Sequence, residues 1–244
     1  MVNAAGKFGP YSQPGPARPA PGAGVLDTRV LPGRGPTGAE LVRSRIALRV
    51  RLKSEAPGER LPDAGVLAEE LGISEITVRR ALEGMCQDGL LDRRRGRAGG
   101  TFVAQDWDTV VAVMHDPEEA ASLDAVHVLL ECGLVSHAVG EVPDGALDGL
   151  RALVDEMDRA DVPARLPELE TRFHLDLAQA LGGPGIREFA ADLLGRQCLL
   201  LPAPTPEAVR ARNRHHADLL DELTRGAMAP AVAAVKAHRH SVPD

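Results

Sequence analysis

Between Leu61 and Leu82 the apolar positions fall into two successive helical spacings. Leu67 and Leu71 lie four apart, and so do Val78 and Leu82, so each pair marks one face of a short helix. Asp63 stands where a helix N-cap belongs, and Gly72 stands where the first helix should stop. Ser74 can cap the second helix, which runs from about Glu75 to Met85. Two short helices joined by a glycine-containing turn form the helix-turn-helix pattern, whose second helix enters the major groove. Gly89 then breaks the periodicity. LLDRRR (Leu90 to Arg95) reads as a strand, GRAGG (Gly96 to Gly100) as a turn, and TFVA (Thr101 to Ala104) as the returning strand. The result is a β-hairpin wing with Arg93, Arg94, Arg95 and Arg97 at its tip, placed to meet phosphates.

On either side the pattern changes. From Ala39 to Ser54 apolar residues alternate with Arg43, Arg45, Arg49 and Arg51, and both helical and strand periods are partly met. Those arginines are either surface charge or backbone clamps beside the groove. Residues 1–36 are rich in Pro, Gly and Ala and are expected to form a disordered tail, because they bury too little to offset their ordering entropy. Its Lys7, Arg18, Arg29 and Arg34 read as solvated charge rather than phosphate contacts. Residues 105–120 read as a linker, with the single tryptophan, Trp107, packed at the interface between two domains. From 121 to 241, helix-length segments are separated at Pro143, Asp161 to Pro163, Gly182 to Gly185, Pro202 to Pro206 and Gly226 to Pro230. About six helices and no strand pattern are expected there, hence an all-α bundle. The fold class is therefore mainly α, with a winged helix-turn-helix domain over 37–104 ahead of that bundle.

Composition sharpens this picture in one respect. With 44% hydrophobic but only 2% aromatic residues, the cores must be built from Leu, Val and Ala, which suits helix packing. The net charge of −7 argues against a nucleic-acid binder, but the charge is uneven. Glu40 to Val103 holds twelve Lys or Arg against ten Asp or Glu, so the acidity lies downstream. Cys86, Cys132 and Cys198 are odd in number and far apart, with no CxxC among them, and read as reduced, packed thiols. Neither a bilayer-spanning run nor a signal-peptide core is visible, so a cytoplasmic protein without membrane contact is expected.

Candidate chemistry lies in the helical half. Glu170 and His174 are four apart and share a helix face, while His216 and His238 lie on the last two helices. Three imidazoles and a carboxylate could meet in the bundle core around Zn²⁺, with Ni²⁺, Mn²⁺ or Fe²⁺ as alternatives; on spacing alone, histidines scattered over three helices are usually unrelated. Neighbouring His215 and His240 read as solvent-facing.

The motifs PGERLP, LAEELGIS, TVRRAL, DGLL and the wing ending GTFV resemble the winged domain of the GntR family of bacterial transcription regulators. RFHLDLAQALG, HADLLDELTRG and AVAAVKAH resemble the FCD ligand-binding domain of its FadR branch. The resemblance implies a first winged-domain helix over 39–54. It also implies a divalent metal held by Glu170, His174, His216 and His238, with an effector contacting His127 and Asn213. For DNA it implies contacts from Ser74, Glu75, Thr77, Arg79, Arg80, Arg94, Arg95, Arg97 and Gly99.

There are departures from the family pattern. Glu170 replaces a usual Asp, Ala227 replaces a capping Asp, and His127 replaces an arginine that greets acidic effectors. Gly65 and Glu75 replace arginines that read DNA, which implies an altered operator. The function expected is that of a homodimeric, effector-controlled regulator, in the first instance a repressor of a double-stranded DNA operator. A small molecule, a carboxylate among the candidates, would be the effector. The alternatives are a regulator with a purely structural metal and a metal-dependent hydrolase fused to a DNA-binding domain. Metal binding should weaken below about pH 6, since free histidine titrates near 6.5.

Overall fold

The computed structural model describes residues 37–240 apart from 54, 98 and 144, and leaves out the side chain of residue 240. The tail expected over 1–36 and the orientation expected of His240 therefore lie outside the described residues.

The ambiguous segment after the tail is a helix, α1 (Gly38–Arg51). Thr37 caps it in a capping box: its hydroxyl accepts from the Glu40 N–H, and the Glu40 carboxylate accepts from the Thr37 N–H at 2.6 Å. Val42, Ile46 and Val50, spaced by four, are all buried, and this decides the helical period over the strand one. Helices α2 (Ala64–Leu71) and α3 (Glu75–Gln87) follow, with Leu67, Val78 and Leu82 buried between them. Gly72 closes α2 in the left-handed conformation, φ 63°, which a side chain would strain. Ser74 caps α3 by accepting from the Thr77 N–H. Asp63 does stand at the N-cap of α2, but its side chain caps nothing; it pairs with Arg60 at 2.7 Å. The wing is an antiparallel pair, β1 (Leu91–Arg94) and β2 (Gly100–Val103), in register from Leu91–Val103 to Arg94–Gly100.

The segment read as a linker carries a helix, α4 (Trp107–Met114), with Trp107 and Val111 buried and the helix laid on α7. WDTVVAVM has its own apolar face, so this stretch packs as well as connects. The bundle then comprises α5 (Pro117–Ala138), α6 (Asp148–Arg159), a 3₁₀ turn at Pro163–Arg165, α7 (Leu166–Leu200), α8 (Pro206–Arg225) and α9 (Met228–His240). The break expected at Gly182–Gly185 is only a kink in α7: Gly183 leaves helical geometry (φ 77°, ψ −174°) before Pro184, and the helix resumes. Among the described residues no helix is long and apolar enough to cross a membrane.

Helix α7 is the hub, with α1, α4, α5, α6 and α8 all laid against it. The α1–α7 contact is close because Gly195 has no side chain: a Cβ there would stand 2.4 Å from the Ser44 carbonyl oxygen. Arg45 on α1 reaches across to Glu188 and Asp192 at 2.7 and 2.8 Å. Gly195→Ala is therefore expected to destabilise by about 1–3 kcal/mol, since backbone, not a flexible side chain, blocks the methyl. Gly149→Ala, on exposed α6 with nothing within 4 Å, should instead gain up to about 1 kcal/mol from helix propensity. Urea unfolding of the two variants checks both signs.

Candidate metal centre and nucleic-acid interface

Glu170 and His174 project from the same face of α7, His216 from α8 and His238 from α9. All four are buried, and one donor atom from each lies within 4.8 Å of the others. The distances from Glu170 oxygens to the imidazole Nε2 atoms are 3.8 Å for His174, 3.8 Å for His216 and 3.3 Å for His238. Glu170 Oε2, His216 Nε2 and both ring nitrogens of His238 have no hydrogen-bond partner. Buried polar atoms are rarely left so, because each costs free energy. A divalent cation at their centre would satisfy Glu170 Oε2, His216 Nε2 and one ring nitrogen of His238 together, and three imidazoles with a carboxylate suit a borderline ion such as zinc.

The outer hydrogen bonds fix which nitrogen faces inward. His174 Nδ1 lies 2.6 Å from Glu131 Oε1; a carboxylate only accepts, so Nδ1 carries the proton and Nε2 keeps its lone pair. Asn213 does the same for His216. Its amide donates to the Val154 carbonyl at 3.0 Å and to Asp158 at 2.7 Å, so Oδ1 is left to accept from His216 Nδ1–H at 3.2 Å. Phe173 stacks on the His216 ring with centroids 3.9 Å apart.

The electrostatics favour neutral rings at His216 and His238. Burial pushes His216 well below the ordinary histidine value, and it lowers His238 as well. Burial would also lower His174, but Glu131 beside it outweighs that and raises it. Burial opposes ionisation of Glu170 too, yet His216, His174 and His238 hold its carboxyl well below the usual range.

A cavity of about 330 Å³ opens beside Glu170 and His174. Its walls include Arg212 of α8, Arg239 of α9, Arg51 of α1 and the loop Leu201–Thr205. Arg239 is anchored by Asp124 at 3.2 Å and by its contacts with the His127 ring. His127 itself donates from Nε2 to Glu131 at 3.1 Å. Burial, and then the Arg239 charge, lowers its pKa to about 4.

On the DNA-binding side, the exposed N-terminal turn of α3 presents Glu75, Ile76, Arg79 and Arg80. Glu75 and Arg79, four apart, form an ion pair at 2.5 Å. Ile76 is 67% exposed, unusual for so apolar a side chain. In the wing, Arg95 and Arg97 are exposed, while the Arg94 guanidinium lies over the Phe102 ring, 4.1 Å from its centroid. A Cβ on Gly99 would sit 2.5 Å from the Arg94 carbonyl oxygen, so this glycine is needed by the turn itself.

Two family models match these two regions: bacterial regulatory proteins of the gntR family over 39–103, and the FCD domain over 123–241. Between them they cover more than half of the chain. The chain belongs to the GntR family, in its FCD-bearing group. It is 27% identical over 152 residues to a putative HTH-type transcriptional regulator, RmpR, of Mycobacterium gastri, spanning 60% of this chain and 56% of that one. Over 216 residues it is 23% identical to the HTH-type transcriptional repressor NanR of Escherichia coli, covering 84% and 82%. The chain thus spans little more than half the length of the first relative. Among solved structures, Escherichia coli McbR/YncC superposes with a TM-score of 0.49 at 19% identity, over 83% of this chain and 93% of that one. GntR-family members are transcription regulators and not enzymes, so the hydrolase alternative falls away.

His127 and Asn213, the two residues expected to contact an effector, are buried. Neither His127 nor Asn213 lines the cavity. His127 is wedged between Glu131, Gln197 and Arg239, and both amide protons of Asn213 are committed to the wall behind His216. A guanidinium does stand beside His127, that of Arg239 from α9, which lines the cavity. Arg239, Arg212 and Arg51 were missed by sequence reasoning. The spacing offered a hint for two of them, since Arg239 adjoins His238 and Arg212 lies four before His216.

Proposed function

We propose that this GntR-family regulator is a homodimeric repressor whose DNA affinity is set by a small anionic effector bound beside a divalent metal, zinc in the first instance. The observation that carries the reading is the set of orphaned donor atoms of Glu170, His216 and His238, in a buried cluster whose Glu170 and His174 also line an arginine-walled cavity. Glu170, His174, His216 and His238 would hold the cation, which when bound supplies a Lewis-acidic point for an effector oxygen. Glu131 and Asn213 orient His174 and His216 for that task, a positioning role for Asn213 in place of effector contact. Arg212 and Arg239 attract and orient the acid. The reading is tested by elemental analysis of purified protein together with gel shifts on DNA upstream of its own gene, with and without chelator. One equivalent of metal and a chelator-sensitive response to added acids support it; metal-free protein overturns it.

On the DNA side, Ser74, Thr77 and Arg80 flank a reading pair. Glu75 holds the Arg79 fork in one orientation for a guanine edge, and Ile76 offers an apolar contact to a thymine methyl. Arg94, Arg95 and Arg97 meet phosphates from the wing, and Gly99 shapes its tip. One winged domain makes few base contacts, so two protomers reading two half-sites is the natural arrangement. Arg79→Ala should weaken operator binding by about 1–3 kcal/mol and relax base preference, while Arg97→Ala should weaken all sequences alike. An unchanged gel shift for Arg79→Ala on its own operator would remove the recognition-helix assignment.

A further inference from the structure

The four arginines of α1 do not share one fate. Arg43 pairs with Asp88 at 2.7 Å, Arg45 with Asp192 at 2.8 Å, and Arg49 with Glu70 at 2.8 Å as well as with buried Glu55. Arg51 has no carboxylate partner among the described residues. Its Nη2 donates to the Leu201 carbonyl at 2.9 Å, where α7 ends, and its side chain lines the cavity that Glu170 and His174 also line.

We propose that Arg51, a residue of the DNA-binding domain, is a direct effector contact, and that the cavity takes a small acid with anionic groups at both ends. One group faces Arg212, Arg239 and the metal ligands; the other faces Arg51. This rests on the effector reading above.

Charge points the same way. The walls carry three guanidiniums, Arg51, Arg212 and Arg239, against one carboxylate, Glu170. That carboxylate already faces three imidazoles, with Arg212 at 3.6 Å. A monoanion placed against the metal ligands would leave the Arg51 end without a counter-charge. Size points the same way too. The cavity of about 330 Å³ is roughly ten times a water's share of liquid volume, about 30 Å³, so a lone acetate would fill only part of it.

Coupling follows from where Arg51 is anchored. Its carbonyl partner is neutral, and an anionic group in its place adds the attraction of opposite charges and can pair with both arms of the guanidinium fork. An acid that recruits Arg51 therefore acts on α1 itself, the helix that carries the winged domain against α7. Occupancy reaches the DNA-binding half through one side chain, without a relay across the bundle.

The experiment is calorimetric titration of zinc-loaded, full-length protein with acetate, succinate, glutarate and phosphoglycolate, for wild type, Arg51→Gln and Arg51→Lys. In the wild type at least one dianion should bind tenfold or more tightly than acetate. Arg51→Gln should lose that advantage while keeping acetate affinity and metal content; Arg51→Lys should recover part of it. The better of the dicarboxylates and phosphoglycolate identifies the group that the Arg51 end accepts. If Arg51→Gln binds every dianion as wild type does, while Arg239→Gln does not, the acid sits in the cavity without reaching α1, and the proposal is overturned with the effector reading intact. If none of the four acids binds the wild type, the effector reading fails and takes the proposal with it.

Discussion

His216→Ala is expected to reduce the bound divalent metal from about one equivalent to a trace, measured by elemental analysis after gel filtration. The imidazole is fully buried, its Nδ1 proton is committed to Asn213, and its Nε2 has no other partner, so its donor atom has no substitute nearby. His215→Ala is the matched control. It changes the adjacent residue, which is half-buried and outside the quartet, and should leave the metal in place. Stability should follow the metal. A ligand held at a thousand times its dissociation constant adds about 4 kcal/mol to folding, so chelator should lower the wild-type melting temperature markedly and the variant's hardly at all. Full metal content in His216→Ala would sink the assignment of the centre.

The chelated protein is expected to lose stability as pH falls from 6.5 towards 4. His127 sets one defined window: its pKa is about 4 in the fold, lowered by burial and then by Arg239, against 6.5 for a free side chain. Above 6.5 both states are neutral and the residue contributes no pH dependence. Below 6.5 the unfolded chain takes up a proton that the folded chain refuses, and the folded state loses about 3 kcal/mol by the time pH reaches 4. His216 and His238, also lowered, act in the same direction. His174, raised by Glu131, acts against it. The carboxyls of Glu131 and Glu170, held low by the neighbouring histidines, bring their own loss only under still more acid conditions. Urea midpoints across this range, for wild type and His127→Gln, test the claim; a slope unchanged by the substitution would refute it.

Both domains were legible because their patterns are local. The two stripes Leu67–Leu71 and Val78–Leu82, the Gly72 stop and the Ser74 cap all act within a few residues, and each appears in the structure. The quartet was half legible: Glu170 and His174 share a helix turn, but only the family resemblance joined them to His216 and His238. The cavity was not legible. Arg51, Arg212 and Arg239 come from three helices; Arg212 and Arg239 sit near His216 and His238 in sequence, but nothing around Arg51 distinguishes it from a solvated arginine. Asp63 shows the opposite failure, since a correct local reading of its position was overridden by a stronger charge partner, Arg60. In the segment read as a linker, the packing expected of Trp107 is present, while the helix that joins it to Val111 in one buried face was not anticipated.

The close approach of Gly195 to Ser44 changes where this protein can be cut and recombined. A hybrid regulator made by grafting a foreign reading head at residue 105 would respect the sequence boundary but not the physical seam. The foreign head would bring its own first helix to a surface shaped by a missing side chain and by Glu188, Asp192 and the end of α7. Grafts that transplant only the reading turn of α3 and the wing, keeping α1 native, should preserve sensing; grafts that exchange α1 should bind DNA and no longer respond to the metabolite.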